Sequence, residues 1–356
     1  MREVAPALPI WRRDWAKSAT TRRSLEASKW QSMRCRSRAI LAVLLLLLLE
    51  GCTHTGLTPP LRSNVPATPA YPRLLAVYEP WFGHPRHISV GYSSQDPVQI
   101  RKQIDEAKKM GITGFVVDWY GDREPFLDQS YALVQSAAAE KNFKIAMMYD
   151  ESDGSADEAT DDALAAFEKF DETYLAPNAP GRDAYLTYRD RPVIFIFPKG
   201  ANTDWNRVRA ETDRWTTPPL LIYEYRRTPY VAAMDGFYAW VNPGEKGWAA
   251  DGSNWGGDYL RTFYRRMQTE YSNKIAIGAA WAGFDDSKAS WGLGRHMSRR
   301  CGQTLADTLN LAQQNSSPAH PLPFVLIATW NDYEEGTAIE QGVANCKTGS
   351  DHNAGQ

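Results

Sequence analysis

The chain has 356 residues, 43% apolar and 23% charged, which is ordinary globular composition with enough length for one large core or two small ones. A formal net charge of −2 offers no general attraction to nucleic acid or anionic lipid, so nucleic acid is excluded as an expected partner. Thirteen Trp and seventeen Tyr are in excess, and either a large aromatic core or flat rings set against sugar faces would account for them.

Residues 39–49 form an unbroken apolar run. It is too short to cross a hydrocarbon layer of about 30 Å, which takes roughly 20 helical residues. Arg34, Arg36 and Arg38 precede it and Gly51-Cys52 follows it, the layout of a signal peptide. The string Leu48-Leu49-Glu50-Gly51-Cys52 resembles a bacterial lipoprotein box, although Glu50 replaces the small or apolar residue usual there. The resemblance implies an acylated Cys52 at the mature N-terminus and a protein anchored in the bacterial cell envelope, periplasmic or at the surface. Cleavage without lipid is the alternative. Met33 stands where such a peptide would start, which leaves residues 1–32 as an overlong start or a leader. Residues 1–52 are thus leader and signal peptide. The Pro- and Thr-rich stretch 53–72, with Thr58-Pro59-Pro60, Pro66 and Pro69, is a semi-extended spacer. Cys301 and Cys346 lie beyond the export segment, and an oxidising compartment would permit a disulfide between them.

From Leu74 onward, short apolar runs of β type alternate with amphipathic helical stretches. The runs are 74–82, 114–120, 144–149, 193–197, 220–225, 236–241, 274–280 and 324–330. Helical patterns fill 96–110, 124–141, 156–174, 204–215, 258–271 and 302–314, the first opened by Asp96 as cap and Pro97 in the first turn. Continuous apolar strands separated by helices predict a parallel sheet covered on its outer face. Eight such units predict a single (β/α)8 barrel over residues 73–346, followed by a polar tail, 347–356. The stretch 228–235 is too short for a full helix, and the eighth helix is expected to be missing or vestigial.

Such barrels carry their active sites at the C-terminal ends of the strands. Here those ends supply Glu79 and Trp81, Asp118 and Trp119, Asp150, Glu224, Asn242, Trp281 and Asp285, and Asn331, Asp332 and Glu335. Carboxylates beside aromatics at one rim suit glycoside hydrolysis, which needs two carboxyl groups flanking the bond and rings to hold the sugar. Asp332 and Glu335 are three apart, so a helical turn there puts both on one face, and their repulsion separates the two pKa values. That is a useful state for an acid and base pair. Glu79, Trp81, Asp118, Trp119, Asp150, Glu224, Asn242, Trp281, Asp285 and Asn331 are the candidate substrate-binding residues. Any one of them could equally be a cap, an ion-pair partner or, for Trp119 and Trp281, a packing residue. No phosphate-cradling glycine motif, serine elbow or strand-end histidine cluster occurs, so neither cofactor nor metal is expected.

The string Trp330-Asn331-Asp332-Tyr333-Glu334-Glu335-Gly336-Thr337-Ala338-Ile339-Glu340 resembles the last-strand motif of glycoside hydrolase family 99, the endo-α-mannosidases and endo-α-mannanases. It is also similar to the Trp-Asn-Asp-Tyr-Gly-Glu motif of family 71, the α-1,3-glucanases. Tyr78, Trp81-Phe82-Gly83, Gly114–Gly121, and Asp285 with Arg295 extend the likeness over about residues 74–346. The resemblance implies an endo-acting hydrolase of an α-linked polysaccharide, with catalysis at Asp332 and Glu335, and on that mapping Glu335 is expected as general acid and Asp332 as base. Family 99 retains configuration and family 71 inverts it. Asp332 shortens the first family 99 carboxylate by one methylene, and Tyr333-Glu334 replaces Trp-His. A glycan-binding lipoprotein without catalysis is the competing expectation on the same barrel.

Overall fold

The computed structural model describes residues 72–200 and 202–342. The leader, the anchor cysteine Cys52, nearly all of the spacer, Cys346 and the tail lie outside the described residues. Eight parallel strands form the core: β1 Arg73–Tyr78, β2 Ile112–Trp119, β3 Lys144–Asp150, β4 Arg191–Phe197, β5 Leu220–Glu224, β6 Gly236–Tyr238, β7 Ile275–Trp281 and β8 Phe324–Ala328. Each pairs with its neighbour in sequence, and β8 returns to β1 in the register Arg73↔Phe324 to Ala76↔Ile327. The sheet is therefore a closed barrel without an open edge.

Alternation along each strand sorts the side chains into two layers. Leu75, Val77, Val116, Ala146, Met148, Val193, Phe195 and Ile222 point inward and fill the barrel. Tyr78, Phe115, Val117, Trp119, Ile145, Tyr149 and Ile196 point outward into a thick apolar layer beneath the helices. Those helices are α1 Pro97–Lys109, α2 Pro125–Glu140, α3 Ala156–Phe170, α4 Trp205–Thr212, α5 Gly257–Thr269 and α6 Gln303–Gln314. Their starts follow local chemistry. Asp96 accepts the Val98 N–H at 2.8 Å ahead of Pro97. Ser155 and Glu158 form a reciprocal capping box at α3.

Between β5 and β6 the chain makes only the 3-10 turn Val231–Ala233, with Ala233 and Met234 buried against the outer face of the barrel. After β8 no helix occurs among the described residues. The first gap agrees with the short spacing of 228–235 in the sequence. None of the described helices is long and apolar enough to cross a membrane.

Candidate active site

The inward parity that places Leu75 and Val77 in the barrel brings Glu79 to its mouth, and the same rule delivers Asp118, Asp150 and Glu224. Glu79, Asp118 and Asp150 are 4%, 5% and 4% exposed. The chain beyond β8 completes the rim. Trp330 donates its N–H to Val77 O at 2.6 Å, and Ile339 and Glu340 both donate back to Trp330 O, so residues 329–340 fold over on themselves. Asn331 clamps the first strand to the last. Its Oδ1 accepts the Glu79 N–H at 2.7 Å, and its Nδ2 donates to Glu79 O at 2.9 Å. Glu340 pins the far end of this segment by accepting from Tyr92 (2.9 Å), Tyr333 (2.7 Å) and Gln103 (2.7 Å).

Within that loop Asp332 starts a turn. Its Oδ1 accepts the N–H groups of Glu334 and Glu335, each at 2.9 Å. Three residues of turn bring Glu335 back beside Asp332, as the spacing of the two carboxylates requires. Burial raises the Asp332 carboxyl well above its ordinary range and the Glu335 charge adds to this, while the two backbone donors favour its ionised form. Glu335 is also raised by burial, against the opposing pull of the Trp291 N–H and Arg295. Glu79 is raised by burial and by the charges of Asp118, Asp332, Glu335 and Asp150, in that order, which puts it among four other carboxyl groups. Its Oε2 is buried without a hydrogen-bond partner.

A cation tempers one side of the rim. Lys199 Nζ stands 2.8 Å from Asp150 Oδ1 and 4.5 Å from the centre of the Tyr120 ring. Burial pushes the Asp150 carboxyl up to about 6, with Lys199 limiting the rise. Glu224 is pushed up to about 7 by burial, with Arg226 opposing.

The expected site residues divide accordingly. Glu79, Asp118, Asp150, Asp332 and Glu335 converge, and Glu224 joins the rim from β5. Trp81 is nearly buried, stacked on His87 at 4.7 Å with the rings 5° from parallel. Trp119 and Trp281 are corrected from rim platforms to packing residues. Both are 0% exposed, with their N–H groups spent on Asp128 Oδ1 and Trp255 O, each at 3.0 Å. Adjacent strand residues face opposite sides, so Trp119 cannot share the mouth with Asp118. Asn331 is likewise a scaffold residue, since both ends of its amide hold Glu79. Asn242 is exposed and accepts the Gly244 N–H of its own turn at 2.7 Å. Asp285 is exposed, caps the Ser287 N–H at 3.0 Å, and ties the turn down through its own N–H to Glu335 O at 2.8 Å.

Several contributors were not expected. Lys199 follows a strand end, Phe197-Pro198-Lys199, that holds no carboxylate and so drew no attention, though a cation beside clustered acids is what their repulsion calls for. Glu334 is 2% exposed and takes His87 Nδ1 at 2.7 Å and the Ile88 N–H at 3.2 Å. Trp291 donates its indole N–H to Glu335 Oε1 at 3.0 Å. Nothing local in the sequence marks that long-range contact. Cys301 is disulfide-bonded. Among the described residues no three His, Cys, Asp or Glu side chains gather as metal ligands. A concavity of about 400 Å³ opens at the opposite face of the barrel, near Arg191, Arg209 and Asp235. Arg191 and Arg209 there are matched by Asp235 and by the carbonyls of Pro219 and Ala233. The carboxylate rim is the candidate site.

A closed (β/α)8 barrel with two acids on the turn after its last strand is an arrangement that glycoside hydrolysis can use. The sequence profile of glycosyl hydrolase family 71 matches residues 87–353, and the chain belongs to that family. Among solved structures, the family 99 endo-α-mannosidase of Bacteroides thetaiotaomicron is 21% identical, with a TM-score of 0.58 over 75% of this chain and 86% of that one. A second structure of an endo-α-mannosidase of that family and organism is 20% identical, with a TM-score of 0.58 over 75% and 87%. A glycoside hydrolase-like protein is 16% identical, with a TM-score of 0.53 over 76% and 87%. These likenesses bear on the fold. No curated protein matches the chain.

Proposed function

We propose that the protein is an exported, lipid-anchored, endo-acting hydrolase of an α-linked polysaccharide of the α-mannan or α-1,3-glucan type. The observation that carries this reading is the turn that holds Asp332 and Glu335 side by side at the mouth of the barrel. Two like charges so close share a proton, and the surroundings decide which group keeps it. Asp332, 3% exposed and with Oδ1 spent on two backbone N–H groups, is assigned the base. Glu335, the more open of the two and held by the Trp291 indole N–H, is assigned the acid. In the reaction Glu335 protonates the glycosidic oxygen as the bond to the anomeric carbon breaks. The free Asp332 oxygen takes a proton from the attacking water or from a sugar hydroxyl. Glu79, Asp118, Asp150 and Glu224 hold the sugar hydroxyls around that centre.

The test is product analysis of the purified protein on a panel of α-mannans and α-1,3-glucans. Glu335→Gln and Asp332→Asn should each lower the rate on the responsive polymer by about 10²–10⁴-fold. A wild type that cleaves none of them, or variants as active as wild type, would sink the proposal. Export rests on the leader pattern and the lipoprotein-box resemblance at Cys52. Labelled fatty acid should enter the wild type and not Cys52→Ala, and equal labelling of the two would refute the anchor.

The second reading is a glycan-binding protein on the same barrel. It is favoured by the part that Asp332 plays as the cap of its own turn, a structural duty that would persist without catalysis. Binding of a polymer that is never cleaved would establish it.

A further inference from the structure

Beyond β7 the chain forms a short antiparallel pair, Phe284–Asp285 against His296–Met297, and the loop between its arms is held from within. Asp286 is 0% exposed and accepts the Leu293 N–H (2.9 Å), the Arg295 N–H (2.7 Å) and Arg295 Nε (2.7 Å). Burial acts to raise its carboxyl, but these donors outweigh it and hold the group below the usual range. Gly292 crosses so close to the Asp286 carbonyl that a Cβ there would stand 1.9 Å from the oxygen. A buried ionised carboxylate devoted to one loop is costly, which marks the shape of that loop as worth holding.

What the loop carries outward is apolar. Trp291 is 43% exposed and Leu293 69%, two of the four large hydrophobic side chains that are exposed among the described residues. The Trp291 indole is not adrift. Its N–H bonds Glu335 Oε1, and its ring lies 6.3 Å from Trp81 and 6.2 Å from His87, at 78° and 73° to them. A ring fixed at its N–H and still half open leaves an apolar surface beside Glu335. Trp81 is 6% exposed and Trp119 and Trp281 are fully covered, so none of them offers comparable area.

We propose that Trp291, with Leu293 two residues along the same loop, is a stacking platform for a sugar next to the scissile bond. This rests on Glu335 as the acid: it protonates the bridging oxygen, so a ring bonded to its carboxyl lies within about one sugar of that oxygen. The occupant is a pyranose that presents its C–H face to the indole, while its hydroxyls stay with water and the rim carboxylates.

Calorimetry on the full chain carrying Glu335→Gln, with α-mannan and α-1,3-glucan oligosaccharides of two to six sugars, tests this apart from turnover. Adding Trp291→Ala should weaken binding about tenfold, Trp291→Phe should restore most of it, and Leu293→Ala should weaken it about two- to threefold. Circular dichroism of each variant checks the fold, and Leu293→Ala, at an exposed position, serves if Trp291→Ala does not fold. Unchanged affinity without the indole overturns the platform, as does a Phe variant as weak as the Ala one. If the oligosaccharides bind in the expected order and the wild type cleaves none of them, the hydrolase reading falls and the platform stands. If the wild type cleaves them and Trp291→Ala binds as tightly as its parent, the platform alone falls. Absence of binding by any of these sugars overturns it as well.

Discussion

Glu224 ends β5 facing the barrel mouth, and burial pushes its carboxyl up to about 7 from the 4.5 of an unburied glutamate, with Arg226 opposing. Between those two values the folded protein holds a proton that the unfolded chain gives up. Stability from this group is therefore complete below pH 4.5 and is lost as pH rises toward 7. Glu224→Gln removes a charge that the fold disfavours. It should raise stability at pH 8 by about 1–3 kcal/mol, a range kept low because the side chain is only partly covered. At pH 4 the gain should vanish. Urea unfolding at both pH values checks this, and an equal gain at pH 4 would assign the effect to packing. Asp150 has the same sign, with its window ending at about 6 because Lys199 holds part of its charge.

At the scale of elements, the eight strands and six helices of the described residues were legible because apolar runs, helical spacing and Asp96-Pro97 are local signals. The acid pair was legible for the same reason, since three residues of spacing and one turn suffice to join Asp332 to Glu335. What escaped is what alternation or distance decides. Trp119 fell to the outer layer because Asp118 takes the inner one, and Asn331 was consumed by Glu79, which lies 252 positions away in sequence. Lys199 and Trp291 come from loops whose course follows from packing. The 286–295 loop allows a direct test of one such course. Asp286→Ala removes the acceptor of three partly buried hydrogen bonds. It should cost about 1–3 kcal/mol and make the loop the first site of tryptic cleavage, while the rest of the barrel stays protected. Unaltered proteolysis would show that the loop holds its shape by other contacts.

Seen whole, the barrel joins its first and last strands at the place where it would act. The pairing of β1 with β8 closes the barrel, and the Asn331 clamp on Glu79 belongs to that same seam. The centre thus draws on contacts between the most distant parts of the described chain, which are the slowest to form because a long loop must close first. The order of events in refolding from urea follows. Far-UV signal from the helices should return first, and cleavage of the responsive polymer should lag until the last strand docks, with the amplitude of that lag growing as denaturant is raised. Activity regained in step with helix signal would mean that the seam is in place from the outset. A ring that closes at its own centre makes turnover a clock for the final step of its assembly.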